Sequence, residues 1–224
     1  MIDLKSLTQE ELTQALKEMG EPAFRGKQVF TWLYRGVTSF DEMSNLPKAL
    51  REKLKEQCIL TVPTVARKQV SRLDGTIKYL WELMDGNCIE TVVMQYHHGN
   101  TVCVSSQVGC RMGCAFCASG ISGLERNLTA GEIADQVAAM SRDTGERIGH
   151  IVVMGTGEPF DNYDELLRAI RILHDENGLN IGLRNITVST CGLLSKIQRF
   201  AEDMPQVNLA VALHAADDET RRKL

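Results

Sequence analysis

Gly109-Cys110-Arg111-Met112-Gly113-Cys114-Ala115-Phe116-Cys117-Ala118-Ser119 is the stretch around which the rest of this sequence is arranged. Three of the seven cysteines, Cys110, Cys114 and Cys117, stand in it at C-x3-C-x2-C spacing. Positions i, i+4 and i+7 share a helix face and buried free cysteine is common, so plain helical packing is one reading. Gly109 and Gly113 weigh against it, since each costs a helix interior about 1 kcal/mol relative to alanine. A glycine-interrupted loop instead lets the backbone fold around a compact object and turn three thiolates inward. Structural zinc normally takes four protein ligands, and no fourth Cys or His is nearby. An iron-sulfur cluster is also held by thiolates, and three of them would leave one iron open to a ligand. Cluster, zinc and packed core all remain open on spacing alone.

Outward from this loop the chain has a strand-helix rhythm. Thr101 to Ser106 precedes it as a strand. Thr129 and Glu132 form a capping box that opens a helix with Ile133, Val137 and Met140 on one face. His150 to Met154 reads as a strand, Tyr163 to His174 as a helix, Arg184 to Ser189 as a strand, Gly192 to Glu202 as a helix and Val207 to Leu213 as a strand. Four strands linked by three helices imply a parallel sheet with right-handed crossovers. The unusual residues all fall at carboxyl ends of strands: the cysteine loop, Gly155-Thr156-Gly157-Glu158-Pro159, Ser189-Thr190-Cys191-Gly192 and His214. That rim is where a β/α barrel builds its active site. Gly155 and Gly157 permit close backbone approach to a ligand, and Glu158 can accept from a ligand ammonium. A phosphate loop lacks support, because no Gly-Lys-Ser/Thr follows. Ser189 either contacts a ligand or caps the next helix; His214 is either a buried, satisfied histidine or a ligand contact.

Upstream, Thr8 and Glu11 form a capping box, and helices are expected to follow it, over Phe24 to Tyr34, and from about Pro47 to Gln57. Val65 to Ser71, Thr76 to Leu83 and Cys88 to Gln95 read as hairpin strands, with a turn at His97-His98-Gly99-Asn100. A metal reading of the adjacent histidines has no partner in view. The division expected is a helical accessory domain over 1–60, a small antiparallel segment over 61–99 and a partial α/β barrel over 100–224.

The chain has 224 residues, 43% of them hydrophobic and 24% charged, as in an ordinary soluble globular protein. No apolar run approaches the ~20 residues that span a bilayer, and the start resembles no signal peptide. A cytoplasmic location follows, and an odd cysteine count with three bunched together suits a reducing compartment. The net charge of −4 lies wholly within residues 101–224, so no basic face announces nucleic acid. The local exceptions are Arg25, Lys27 and Arg35, then Lys48, Arg51, Lys53 and Lys55, which read equally well as a solvated helix face.

An aromatic just before the last cysteine, as Phe116 stands before Cys117, resembles the signature of the radical S-adenosylmethionine (SAM) enzymes. The resemblance extends to Thr101 through Cys110, Gly157-Glu158-Pro159 with Asn162-Tyr163, Val188-Ser189-Thr190 and Leu209 to Ala215. All are similar to the RlmN/Cfr family of radical SAM RNA adenosine methyltransferases. The resemblance implies a [4Fe-4S] cluster on Cys110, Cys114 and Cys117, and SAM bound by Phe116, Gly157, Glu158, Ser189, Ala212, Leu213 and His214. It implies Glu90 as proton acceptor and Cys103 as the cysteine of a transient disulfide; read alone, these are a solvent-facing charge and an inward strand residue. Cys58, Cys88 and Cys191 are assigned to structure.

The implied reaction is methylation at carbon 2 of an adenosine in 23S rRNA and in certain tRNAs, with a flavodoxin-like electron donor expected. One SAM methylates a protein cysteine. A second, cleaved by an electron from the cluster, yields a 5′-deoxyadenosyl radical that activates that methyl group. Carbon 8 methylation, another radical SAM activity and an inactive cluster-binding fragment are the alternatives. Two departures stand out: Ala212 replaces the family's usual serine, and the methyl-carrying cysteine near the family's C-terminus has no counterpart before Leu224. The chain therefore reads as the N-terminal portion of a longer enzyme or a partial gene product.

Overall fold

The structure is a computed structural model and describes residues 1–97 and 99–224. It begins with β1 (Ile2–Asp3), then α1 (Gln9–Glu18), α2 (Phe24–Tyr34), α3 (Lys48–Gln57) and β2 (Cys58–Ile59). Thr8 and Glu11 close the expected capping box on α1, and Leu12 and Leu16 bury the inner stripe of that helix. β1 and β2 pair in parallel, joining the two ends of this helical part. That ladder is not legible in the sequence, because its two short strands lie more than fifty positions apart. The basic cluster of α3 is engaged within the helical part: Lys53 bonds the Met19 carbonyl, Arg51 the Asp41 carbonyl, and Lys55 the Asp41 carboxylate at 2.7 Å. Arg25 and Arg35 lie over the rings of Phe24 and Trp32.

Next come β3 (Thr64–Val70), β4 (Ile77–Glu82), β5 (Cys88–Tyr96), β6 (Gly99–Val104) and β7 (Gln107–Gly109), then β8 (Leu124–Asn127), α4 (Ala130–Thr144), β9 (Ile148–Val153), α5 (Tyr163–His174), β10 (Ile186–Thr190), α6 (Leu194–Asp203), β11 (Asn208–Val211) and α7 (Asp218–Lys223). His98, half of the adjacent histidine pair, lies outside the described residues. The hairpin strands do not form a sheet of their own. They continue into the parallel strands as one seven-stranded sheet ordered β11-β10-β9-β6-β5-β4-β3, antiparallel from β3 to β6 and parallel from β6 to β11.

Strand alternation gives this sheet two unlike faces. Val93, Val102, Val104, Ile151, Val153, Ile186 and Val188 are buried on one, where α4 packs against β6 and β9. The other face carries Val92, Cys103, Val152 and Thr187 side by side in register across β5, β6, β9 and β10. Those four residues are only half-buried. Glu90 sits two residues before Val92 on β5, and Ser189 two residues after Thr187 on β10. Because β5 runs opposite to β6, both residues fall on this open face at the carboxyl rim of the parallel strands.

Candidate active site

A cavity of about 580 Å³ opens at that rim, within the size range of small-molecule sites. Its walls bring together Cys110, Cys114, Phe116, Cys117, Gly157, Glu158, Ser189, Ala212 and His214. Glu90 and Cys103 line the open face of the sheet rather than the cavity itself, and Leu213 lies off the cavity wall, 58% exposed.

The cysteine loop is framed by a ladder that sequence reading missed. β7 and β8 pair antiparallel on either side of it, with a bulge at Gly109, and Cys110 N–H donates to the Gly123 carbonyl at 2.9 Å. Gly109 has φ +73°, and a Cβ there would stand 2.0 Å from the Gly123 oxygen, so no other residue closes this loop without displacing it. All seven cysteines are free thiols and no disulfide joins them. Burial pushes the Cys110 thiol up, as nearby thiols and Glu158 also do. Among the described residues, no three His, Cys, Asp or Glu side chains gather closely enough to hold a single metal ion. A multi-iron cluster, which spreads its ligands around several metal atoms, fits this donor set.

Across the cavity, Gly157 (φ +107°) brings the backbone against Gln107, where a Cβ would lie 2.6 Å from the Gln107 Cβ. Glu158 is 4% exposed and ties two rim loops together. Its Oε1 accepts from Phe160 N–H at 3.0 Å and Thr190 Oγ1 at 2.8 Å, and its Oε2 from Cys191 N–H at 2.8 Å. One oxygen thus retains capacity for a further donor. Glu158→Gln sets an amide N–H against one of these backbone donors. It is expected to cost about 1–3 kcal/mol, read as a lower midpoint in thermal or urea unfolding.

Several placements differ from expectation. His214 is exposed rather than buried: it lies past the end of β11 at φ +58° and sets its ring edge-on to Phe116, centroids 4.7 Å apart. A non-glycine residue in this left-handed region stores strain, which marks functional loops. Cys88 is exposed at the start of β5, on the face it shares with Glu90, so it is not a core residue. Cys191 lines the cavity, its thiol pushed up to about 12 by burial and then by Glu158. Cys58 alone of the three is buried. Glu90 pairs with Lys78 at 2.6 Å on the open face. Burial pushes the Cys103 thiol up.

The supporting polar residues were also missed. Ser105 bonds the Glu90 carbonyl at 2.7 Å and takes Thr156 N–H at 2.9 Å, joining β5 to the Gly157 loop. Gln136 of α4 bonds Thr91 and both backbone groups of Ser105. Arg221 binds the carbonyls of Cys191, Ala212 and Leu213. Only the polarity of Ser105, Ser106 and Gln107 at a strand end hinted at such a network.

A parallel β/α sheet whose carboxyl rim gathers three cysteines, a buried glutamate and close-packed glycines defines an enzyme that handles a small ligand beside an iron-sulfur cluster. The comparisons sharpen this. Residues 104–224 match the radical SAM superfamily, and residues 2–60 match the ribosomal RNA large subunit methyltransferase N-terminal domain. A probable dual-specificity RNA methyltransferase RlmN of Alkaliphilus oremlandii is 55% identical over 99% of this chain and 65% of its own length. Its counterpart in Clostridium tetani is 53% identical over 100% of this chain and 64% of its own. The crystal structure of a radical SAM methyltransferase from Sphaerobacter thermophilus superposes with a TM-score of 0.93 at 48% identity, covering 100% of this chain and 67% of that one. The chain belongs to the radical SAM superfamily, among the RlmN relatives, and spans about 65% of the length of the curated relatives it matches. Membership implies a [4Fe-4S] cluster and SAM as its cofactors.

Proposed function

We propose that this chain is the radical-generating part of an RNA methyltransferase that acts on carbon 2 of an adenosine in 23S rRNA and in certain tRNAs through a methylated-cysteine intermediate. The observation that carries the reading is a rim cavity walled together by Cys110, Cys114, Cys117, Glu158 and Ser189, in a chain matched along nearly its whole length by RlmN relatives. When bound, the cluster supplies the electron, and SAM the methyl group and the radical, that an electron-poor aromatic carbon demands.

The chain's own residues bind and orient. Cys110, Cys114 and Cys117 are the cluster ligands, with Phe116 set edge-on to His214. Gly157, Glu158, Ser189, Ala212 and His214 wall the SAM site, with Leu213 at its edge, and Glu158, held by three donors, offers its remaining lone pair to an ammonium. Ala212 brings no hydroxyl, and its backbone N–H and carbonyl are taken by Thr190 and Arg221, so the serine contact of the family is lost or passes to water. Glu90, on the open face, is the base for the ring proton, and Lys78 pairs with it there at 2.6 Å. Cys103, on the same face, is the thiol that closes the disulfide with the carrier cysteine, which has no counterpart among the seven here. The electron donor is a flavodoxin-like reductant. No helix among the described residues is long and apolar enough to cross a membrane, and free thiols suit a cytoplasmic enzyme.

Supplied with the relatives' carrier segment, SAM, reductant and 23S rRNA, the reconstituted protein is expected to give 2-methyladenosine in nuclease digests analysed by mass spectrometry. Glu90→Gln and Cys103→Ala are expected to abolish it while SAM cleavage persists. Recovery of 8-methyladenosine would move the assignment to carbon 8, and SAM cleavage with no methylated adenosine in any variant would replace RNA with another substrate.

A further inference from the structure

Among the described residues, one side chain between Cys110 and Cys117 hydrogen-bonds another loop of the rim. Arg111 forks onto Asp161, Nε to Oδ2 at 2.7 Å and Nη2 to Oδ1 at 2.8 Å. Asp161 sits three residues after Glu158, in the turn that follows Gly157. Its Oδ2 also accepts from Gln107 Nε2 at 2.9 Å, and Gln107 in turn accepts Glu158 N–H on its Oε1 at 2.8 Å. Gln107 is fully buried at the start of β7, the strand that leads into the cysteine loop. An unbroken polar chain therefore runs from the cysteine loop through Arg111, Asp161 and Gln107 to the backbone of the glutamate across the cavity.

We propose that the Arg111–Asp161 fork is a positioning device that fixes the cysteine loop against the Gly157–Glu158 segment, so that the two loops meet SAM as one preformed surface. The inference rests on the cluster-and-SAM assignment of the cavity and not on the RNA reading. Two features set the pair apart from an ordinary surface ion pair, which contributes little. The fork is bidentate, which fixes orientation as well as distance, a role a lysine cannot take over. Its carboxylate is only 16% exposed and is held from behind by Gln107, whereas the guanidinium is 59% exposed. Removal of an exposed arginine leaves the core untouched, so its effect should appear in ligand binding rather than in folding.

The test uses the iron-reconstituted protein without RNA, comparing Arg111→Ala, Arg111→Lys, Asp161→Ala and the double Arg111→Ala/Asp161→Ala variant. Iron content and melting temperature are expected to stay near wild type. The SAM dissociation constant is expected to rise about tenfold in each single variant, Arg111→Lys included, and no further in the double variant, because the two residues act as one unit. The change that SAM induces in the electron paramagnetic resonance spectrum of the reduced cluster should weaken in parallel, which a purely structural role would not produce. Unchanged SAM affinity in Arg111→Ala and Asp161→Ala, or additive losses in the double variant, would overturn the proposal, as would loss of iron and of melting temperature in every variant. A wild-type protein that binds iron but no SAM would instead remove the cofactor assignment on which the proposal stands.

Discussion

Cys114→Ala is expected to leave the protein folded, empty of its cluster and unable to cleave SAM. Cys114 is half-buried on the cavity wall and lies in a loop rather than in the core. Its replacement should thus stay within about 0.5 kcal/mol of wild-type stability, as surface changes away from packing sites do. Ligation is another matter, because a cubane on three cysteines already lacks one protein ligand, and the loss of a second leaves two thiolates for four irons. Iron and sulfide analysis after anaerobic reconstitution should fall to background, and 5′-deoxyadenosine should disappear from reductive assays. Cys88→Ala is the matched control. That thiol is also free, but it is exposed at the start of β5, and its loss should leave iron loading unchanged. A Cys114→Ala protein that still carries a full complement of iron would show that the cluster is held elsewhere, and the whole assignment of the cavity would go with it.

Features set by near neighbours in sequence were legible in it. The Thr8 and Thr129 capping boxes both close as expected, since each needs only residues three apart. The rim placement of the cysteine loop, Glu158 and Ser189 followed from the alternation of strands and helices alone. What could not be read were contacts between distant segments. The antiparallel and parallel halves look like separate sheets in sequence because the link from β5 to β6 is one more hairpin; only the pairing of β6 with β9 makes them one. The buried reading of His214, one of the two the sequence left open, fails because periodicity says nothing of a chain that turns to φ +58° past the end of β11. Arg111 and Asp161 are fifty positions apart, and each alone is an unremarked surface charge.

The same limit hid the burial of Lys5, which the structure encloses completely. Its Nζ donates to Asp135 Oδ1 at 2.6 Å, with neither side chain exposed. Lys5 belongs to the turn that joins β1 to α1, and Asp135 to α4, whose neighbour Gln136 supports Ser105 under the rim. Tyr34 of α2 bonds the Lys5 carbonyl at 2.9 Å, and Ser6 accepts Gly131 N–H at 3.1 Å. The pair therefore fastens the helical part to the barrel. Lys5→Ala leaves the Asp135 carboxylate buried without a cation, and breaking such a pair costs about 3–5 kcal/mol, a large share of the roughly 5–15 kcal/mol that holds a domain. Burial already pushes the Asp135 carboxyl up, with Lys5 opposing that rise, and without Lys5 the rise is larger. A carboxyl whose folded pKa is raised penalises folding above that pKa, and the penalty is relieved as pH falls toward the unfolded value of about 3.9. The gap between variant and wild type in urea unfolding should therefore be widest near neutrality and narrow on acidification. Lys5→Met/Asp135→Leu, which removes both charges and keeps much of the volume, should recover most of the loss at neutral pH. A double variant as unstable as the single, or a gap that does not move with pH, would mean that packing around Lys5, and not its charge, joins the two parts.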